Sequence, residues 1–303
     1  MAFYIFGDYI REQRERMGVT QEDLCEGICS PGTLSKIENG RQGVRLNQYI
    51  ALMERLGLPV QPMGVQVTEE EMRWHRVKSK IQYTTALGNW NIEEELEQLE
   101  HIKKNHTKED KQFILFNRAV VNMKQGESID NVISMLLEAM RITCSRFDID
   151  RTASVKLLTM DEILIISNIA TALKAKGNLM QAIKWEYFLK EYMENEQLEY
   201  DGVGRIYPLV LFNLSNCLGE CNRFEEAVEL CDIGIAYCNE HGKLNAYTEL
   251  IYNKSRYLFK LKRDDEAKRY MLYTYCVATV RNHEKIKDIA KKCLDDLGID
   301  TVI

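Results

Sequence analysis

The stretch Thr20–Arg41, TQEDLCEGICSPGTLSKIENGR, decides how the chain begins. Thr20 is a good helix N-cap, because its hydroxyl can accept from an N–H that the first turn leaves unpaired. Leu24 and Ile28, four apart, give Gln21–Ile28 one apolar side, so the spacing predicts a short helix there. Cys29 leaves room for a tight turn. Ser30 then caps a second helix, Pro31 takes its first position, where no N–H is needed, and Leu34 and Ile37 form its apolar side. Asn39-Gly40 ends it, since both residues tolerate left-handed backbone. Two short helices joined by such a turn make a helix-turn-helix, whose second helix fits the DNA major groove.

On either side of this core the pattern stays helical. Residues 5–17 predict a first helix, with Ile5, Tyr9, Ile10 and Met17 on an approximate apolar face and Arg11, Arg14 and Arg16 around it. Residues 46–56 predict a closing helix, stopped by Gly57-Leu58-Pro59. PVQPMG (59–64) reads as a linker, so the expected domains are 1–64 and 65–303. Of the four prolines only Pro208 lies beyond position 62, which leaves the second part almost free to be helical.

That second part repeats itself. FNRAVVNMKQGESIDN (116–131), SNIATALKAKGNLMQA (167–182), FNLSNCLGECNRFEEA (212–227) and YNKSRYLFKLKRDDEA (252–267) each carry Asn in second place. In the last three an Ala follows fourteen residues later, at Ala182, Ala227 and Ala267; Asn117 is followed instead by Asn131. Residues 78–93 read as a degenerate earlier copy with Ser79 at the Asn place. The unit is a helix, a turn near Gly177-Asn178 or Asn222-Arg223, and a second helix brought close by the small Ala. The successive Asn spacings exceed the roughly 34 residues of a regular tetratricopeptide repeat, so longer helices are expected.

Composition excludes several classes. No apolar run approaches the roughly 18 residues of a membrane span, and MAFYIFGDYIREQ at the start lacks the basic flank and cleavage site of a signal peptide. Nine scattered Cys suit reduced thiols, and the expectation is a cytoplasmic protein without a membrane. The five His lie apart and form no zinc pattern, and there is no P-loop or dinucleotide fingerprint, so no enzymatic activity and no cofactor are expected. Cys25/Cys29 and Cys217/Cys221 read as small core residues rather than redox pairs, and the Tyr-rich C-terminal third as core between repeats. The chain carries net charge −6, and residues 1–66 hold seven Arg/Lys (Arg55 among them) against eight Asp/Glu. Any nucleic-acid binding must therefore depend on where a few cations sit, and on a dimer.

At Arg14, Gly18, Thr20-Gln21, Leu24, Ser35, Ile37-Glu38 and Asn39-Gly40 the chain resembles the Xre family of bacterial and phage repressors, over roughly residues 5–58. The resemblance implies that Gln21 bonds a phosphate, that Thr33, Ser35 and Lys36 face the DNA with Lys36 able to donate to guanine, and that Arg41 and Arg45 neutralise phosphates. It also implies an Arg14–Glu38 ion pair inside the domain. Pro31 and Gly32 stand where many relatives place long base-reading side chains, which shifts specificity toward Thr33, Lys36 and DNA shape. A domain that keeps this fold without binding DNA is the alternative.

The repeat region resembles a tetratricopeptide array, so the expected fold is all-α: a helix-turn-helix bundle followed by a right-handed superhelix with a concave face. Resemblance places Asn117, Asn168, Asn213 and Asn253 on that face, gripping a peptide main chain, with Val120, Thr171, Asn216 and Arg256 one turn on. Lys174, Phe259 and Lys260 lie a further turn along, and Arg256 with Lys174 or Lys260 suits a peptide carboxylate. The alternative is that the Asn residues only bridge neighbouring repeats. As a whole the chain is similar to the Rgg–PlcR–PrgX group of peptide-responsive regulators. This implies a homodimer on a two-fold operator, with a short signalling peptide in the repeats. A regulator whose repeats hold a protein partner, or serve only dimerisation, remains open.

Overall fold

The computed structural model describes residues 2–58, 68–86, 88–102, 105–155, 157–195 and 201–299, with backbone only at 2–6, 195 and 201–203. Among these, the secondary structure is fifteen α-helices and one 3-10 turn at Thr152–Ser154, with no strand. The linker expected at 59–64 lies outside the described residues, as does the Ile5 side chain.

Four helices form the N-terminal bundle: α1 (Ala2–Arg16), α2 (Gln21–Cys25), α3 (Pro31–Glu38) and α4 (Leu46–Arg55). Ile10, Leu24, Leu34, Ile37, Tyr49 and Leu52 close its core. Burying six such side chains stabilises the bundle by roughly 1.5–3 kcal/mol each before ordering costs. The two caps expected from sequence are made: Thr20 accepts from the Asp23 N–H and Ser30 from the Thr33 N–H, both at 3.1 Å. Gly40, at φ +64°, is the left-handed residue that stops α3, while Asn39 stays at φ −95°.

Two expectations need correction. Tyr9 is exposed rather than part of the apolar face of α1. And α2 ends at Cys25, not Ile28, because Gly27 sits at φ +72°. A Cβ at Gly27 would lie 1.9 Å from the Thr143 carbonyl oxygen, so tertiary packing demands the early turn as well as the glycine. Ile28 still reaches the bundle core.

The repeat region runs through α5 (Glu69–Ala86), α6 (Glu93–Ile102), α7 (Lys108–Lys124), α8 (Ile129–Thr143), α9 (Met160–Ala175), α10 (Leu179–Asn195), α11 (Asp201–Glu220), α12 (Phe224–His241), α13 (Tyr247–Lys260), α14 (Asp264–Val280) and α15 (Glu284–Asp296). Nine residues after each recurrent Asn stands a left-handed residue: Gly126 (φ +83°), Gly177 (+94°), Asn222 (+58°) and Lys262 (+61°). Gly88 (+77°) holds the same place after Ser79, so residues 78–93 are a true copy of the unit. At each turn the next N–H returns to a carbonyl five residues back, as in Glu127→Asn122, Asn178→Leu173, Arg223→Leu218 and Arg263→Leu258. This is the Schellman closure, which satisfies carbonyls that the helix end leaves unpaired. Ala227 and Ala267 are fully buried, and the Ser255 hydroxyl donates to the Ala267 carbonyl at 2.7 Å, joining α13 to α14.

The chain divides into two compact units, one from the N-terminus through Gln181 and one comprising 182–195 with residues 201 onward. The first holds the bundle together with α5–α9; a core of Trp74, Ile81, Ile92, Leu96, Leu99 and Phe113 lies under α5–α7. In the second, Met271, Ala290 and Leu294 seat α15 on α14.

Candidate nucleic-acid interface and repeat-region site

The helix α3 presents Lys36 to solvent, with Thr33 and Ser35 half-buried beside it. The Thr33 hydroxyl lies 2.9 Å from that of Ser30, which fixes its rotamer at the helix start. Arg41 and Arg45 follow in the loop before α4, both exposed. None of Lys36, Arg41 and Arg45 forms an ion pair with a described residue, so the helix and the loop after it carry three cations free for an external anion.

Gln21 does not behave as expected. Its Nε2 donates to Glu38 Oε2 at 2.6 Å, so this side chain completes an internal cluster instead of reaching for a phosphate. Arg14 holds the same carboxylate in a fork, Nε to Oε1 at 2.7 Å and Nη2 to Oε2 at 3.0 Å, while its Nη1 donates to the Val19 carbonyl. Donation to buried Glu38 raises the Arg14 pKa. The pair implied by resemblance is therefore present, and Glu38 is structural.

The bundle is also anchored to other helices of the first unit, a feature without a sequence forecast. Arg55, counted from sequence among the available cations, is 2% exposed. It donates to the Leu24 and Glu26 carbonyls at 3.1 and 2.5 Å and to Glu162 Oε1 at 3.0 Å. Glu162 also accepts from the Thr143 hydroxyl at 2.6 Å, and Gln112 donates to Thr143 in turn. Desolvation lowers the Arg55 pKa, but the charge and hydrogen bond of Glu162, with smaller help from Cys144 and Glu26, together outweigh it and the net shift is upward. Beside this chain lie Lys78–Asp161 (2.7 Å), Asn47–Asp110 (2.6 Å) and Arg146–Glu26 (2.6 Å). Glu54 accepts from the Met160 N–H at 3.0 Å, and burial, then the nearby Asp161 charge, push its pKa up to about 7. A polar cavity of about 40 Å³ runs between these groups. The local signals in sequence are Thr107-x-x-Asp110 and Thr159-x-x-Glu162, which form capping boxes on α7 and α9.

The repeated Asn residues split into two kinds. Asn117 is buried and donates to Phe113 O one turn back at 2.8 Å; Asn168, partly buried, does the same to Leu164 O. Asn253 is buried and donates to Ser215 Oγ and Asn216 Oδ1, both at 3.0 Å, tying α13 to α11. Asn117 and Asn253 therefore do not face a groove: their amides close gaps inside the fold, where an unpaired amide would be costly. Val120 is likewise core, and Phe259 packs against the α14–α15 cluster. Asn213 is half-buried, as are Thr171 and Lys174 on α9, where the Thr171 hydroxyl donates to Ser167 O at 3.0 Å.

What remains open in the second unit is a cavity of about 320 Å³ lined by Asn216, Asn222, Phe224, Arg256, Tyr257 and Lys260, with Glu220 at its edge. Exposed Arg256 donates to Asn253 Oδ1 at 3.3 Å, and its guanidinium lies 5.4 and 5.6 Å from the Tyr252 and Tyr257 ring centres. Stacking and the amide hold the planar cation in place, while most of its donors stay available.

Residues 5–63 match the family model described as a helix-turn-helix domain. The chain carries a helix-turn-helix domain. Its fold is similar to that of Bacillus thuringiensis PlcR in complex with the peptide PapR7 and DNA, with a TM-score of 0.60 at 17% identity over 92% of this chain and 97% of that one. Apo PlcR from the same organism gives 0.58 at 16% identity, over 95% and 98%. At such identity the likeness concerns the fold: a helix-turn-helix bundle followed by tetratricopeptide-like helix pairs. No curated protein sequence matches the chain. Among the described residues no helix is long and apolar enough to cross a membrane, no cluster of ligating side chains could hold a metal, and all nine cysteines are free.

Proposed function

We propose that this protein is a DNA-binding transcriptional regulator of the cytoplasm, acting as a homodimer. Residues 1–64 are its DNA module, and 65–303 take a short peptide that modulates operator binding. The observation that carries the DNA reading is that Lys36 on α3 and Arg41 and Arg45 in the loop after it are exposed and form no ion pair with a described residue. Thr33, Ser35 and Lys36 meet base edges, and Arg41 and Arg45 meet phosphates. Selection of duplexes from a random pool, followed by titration, tests this. Lys36→Ala lowers affinity for the selected site by about 1–3 kcal/mol. Arg41→Ala weakens all sequences alike. If both variants bind selected and random DNA as the parent does, the docking is wrong.

The peptide reading now rests on the Arg256 cavity, not on the Asn repeat. Arg256 and Lys260 take a carboxylate, Asn216 a main-chain amide, and Phe224 and Tyr257 an apolar side chain; Asn168, Thr171, Lys174 and Asn213 are further candidate contacts. PlcR, whose fold is similar, has been seen with a peptide and DNA together, which favours the same pairing here. Calorimetry against a library of short free-carboxylate peptides tests it, with Arg256→Ala expected to weaken a hit by about ten- to hundred-fold. The burial of Asn117 and Asn253 favours the rival in which the repeats hold a protein partner or only dimerise, and a library without a hit whose binding needs Arg256 would leave that reading standing.

A further inference from the structure

The edge of the proposed DNA face is not made by the bundle alone. Arg45 caps the start of α4, and two residues later Asn47 donates to Asp110 Oδ1 at 2.6 Å. Asp110 is the third residue of α7, where it closes a capping box with Thr107 and is 1% exposed. On the other side Gln48 Nε2 donates to Ile28 O at 3.3 Å, just ahead of the α3 cap Ser30. These bonds press the first turn of α7 against the start of α4. Between them lies an open cleft of about 460 Å³, lined by Gly27–Ser30, Arg45 and Gln48 from the bundle and by Thr107, Lys108 and Glu109 at the start of α7.

Lys108 is exposed, and so is Lys111 one helical turn on, which puts both on the same side of α7. Neither forms an ion pair with a described residue. Lys108 lines the same cleft as Arg45, the residue that precedes α4 in the loop after α3. A duplex seated on α3 carries its charge past this point, because phosphates follow each strand at about 3.4 Å intervals along the axis.

We propose that the first turn of α7 is part of the DNA-binding surface, with Lys108 and Lys111 binding backbone phosphates that flank those held by Arg41 and Arg45. The contact reads no sequence; it lengthens the footprint and fixes the seating of the duplex. Since α7 belongs to the repeat region, a rearrangement there reaches the DNA directly. Glu109 is the carboxylate that lines the cleft. Its Oε1 is buried and has no hydrogen-bond partner among the described residues. It weakens binding, and removing its charge strengthens it.

This inference rests on the DNA-binding reading, and the test separates the two. The full chain is titrated onto a labelled mixed-sequence duplex of about 30 base pairs, at salt from about 50 to 200 mM. Compared are the parent, Arg41→Ala, the pair Lys108→Ala/Lys111→Ala, Glu109→Gln, and the exposed pair Lys291→Ala/Lys292→Ala on α15, which belongs to the second unit. For the α7 pair, the slope of log affinity against log salt becomes shallower by about two, and low-salt affinity falls about ten-fold or more. Glu109→Gln binds a few-fold tighter, and the α15 pair keeps the parent's slope. A shallower slope for Arg41→Ala with an unchanged slope for the α7 pair overturns the inference and keeps DNA binding. An α15 pair that matches the α7 pair also overturns it, because bulk charge then accounts for the effect. A parent chain that does not bind duplex removes both.

Discussion

Arg14 and Arg55 are both buried arginines that grip a glutamate, yet they hold different things. Arg14 forks onto Glu38 within the bundle, 24 residues away, and Gln21 completes the carboxylate. Arg55 reaches Glu162, 107 residues away, and uses its remaining donors on the turn after α2. The first pair shapes the helix-turn-helix itself. The second fastens it to α8 and α9, so that the bundle with its caps and the first helices of the repeat region form one compact unit. Burial of a charge is tolerated in both because each guanidinium meets a carboxylate and at least one backbone carbonyl, although Nε of Arg55 is left without a partner among the described residues. The lesson is that a count of cations is no count of DNA contacts: two of the seven in residues 1–66 are committed to internal carboxylates.

The difference can be broken at four points. The largest effect is expected from Glu162→Ala, which strands the Arg55 charge and removes a capping-box partner of α9. Unfolding in urea should show a loss of about 3–5 kcal/mol, and Arg55→Met in the same chain should restore part of it. Glu38→Ala should cost about 3 kcal/mol, because Arg14 keeps Val19 O and some access to water. Here the α1–α3 contact should open first, with faster amide exchange in residues 2–41 and little change in α5–α9. If Glu162→Ala is the milder of the two, the anchor matters less than the seam inside the bundle.

Third comes Glu54. Its pKa stands well above the ordinary carboxylate range, so protonation favours the folded, docked form. The stability it contributes is fully present below about pH 4.5 and is lost as pH rises through about 7. Asp161 and Glu162 set this upward push against Lys78 and Arg55, which face the same cavity. Glu54→Gln should therefore be roughly 2 kcal/mol more stable than the parent at pH 8, with the gain shrinking toward pH 5. A gain that is equal at both pH values would show that packing, not charge, is responsible. The smallest effect belongs to Arg146→Ala. Arg146 is more than half exposed in its pairs with Glu26 and Asp23, so at most about 0.5 kcal/mol should be lost, and less at high salt.

The order of elements was legible because it is written in local signals. Caps at Thr20 and Ser30, the Gly40 stop and the Asn-to-Ala spacing each depend on residues within one or two turns. The Arg14–Glu38 pair was legible through resemblance. The recurrence of Asn was real too, but its role was misread: a periodic polar residue on a helix looks the same whether it faces a ligand or a neighbouring helix. Asn253 has Ser215 and Asn216 across from it, and those partners are not visible from the motif that contains Asn253. Gly27 is a similar case. Its left-handed turn could be suspected from sequence, but the Thr143 carbonyl that requires it lies more than a hundred residues on.

By itself, then, the chain's sequence determined an all-α molecule, a helix-turn-helix at its start and a repeat of helix pairs joined by short turns. These depend on backbone preference and on spacing along a single helix, which neighbours in sequence settle. Which cations face outward was decided only by the tertiary structure. Arg55 is turned inward, Lys36, Arg41 and Arg45 are left free, and Lys108 is brought up beside Arg45, because charge placement depends on what desolvates and what pairs with each side chain. Those partners come from helices far apart in the chain, and they exist as neighbours only once it has folded.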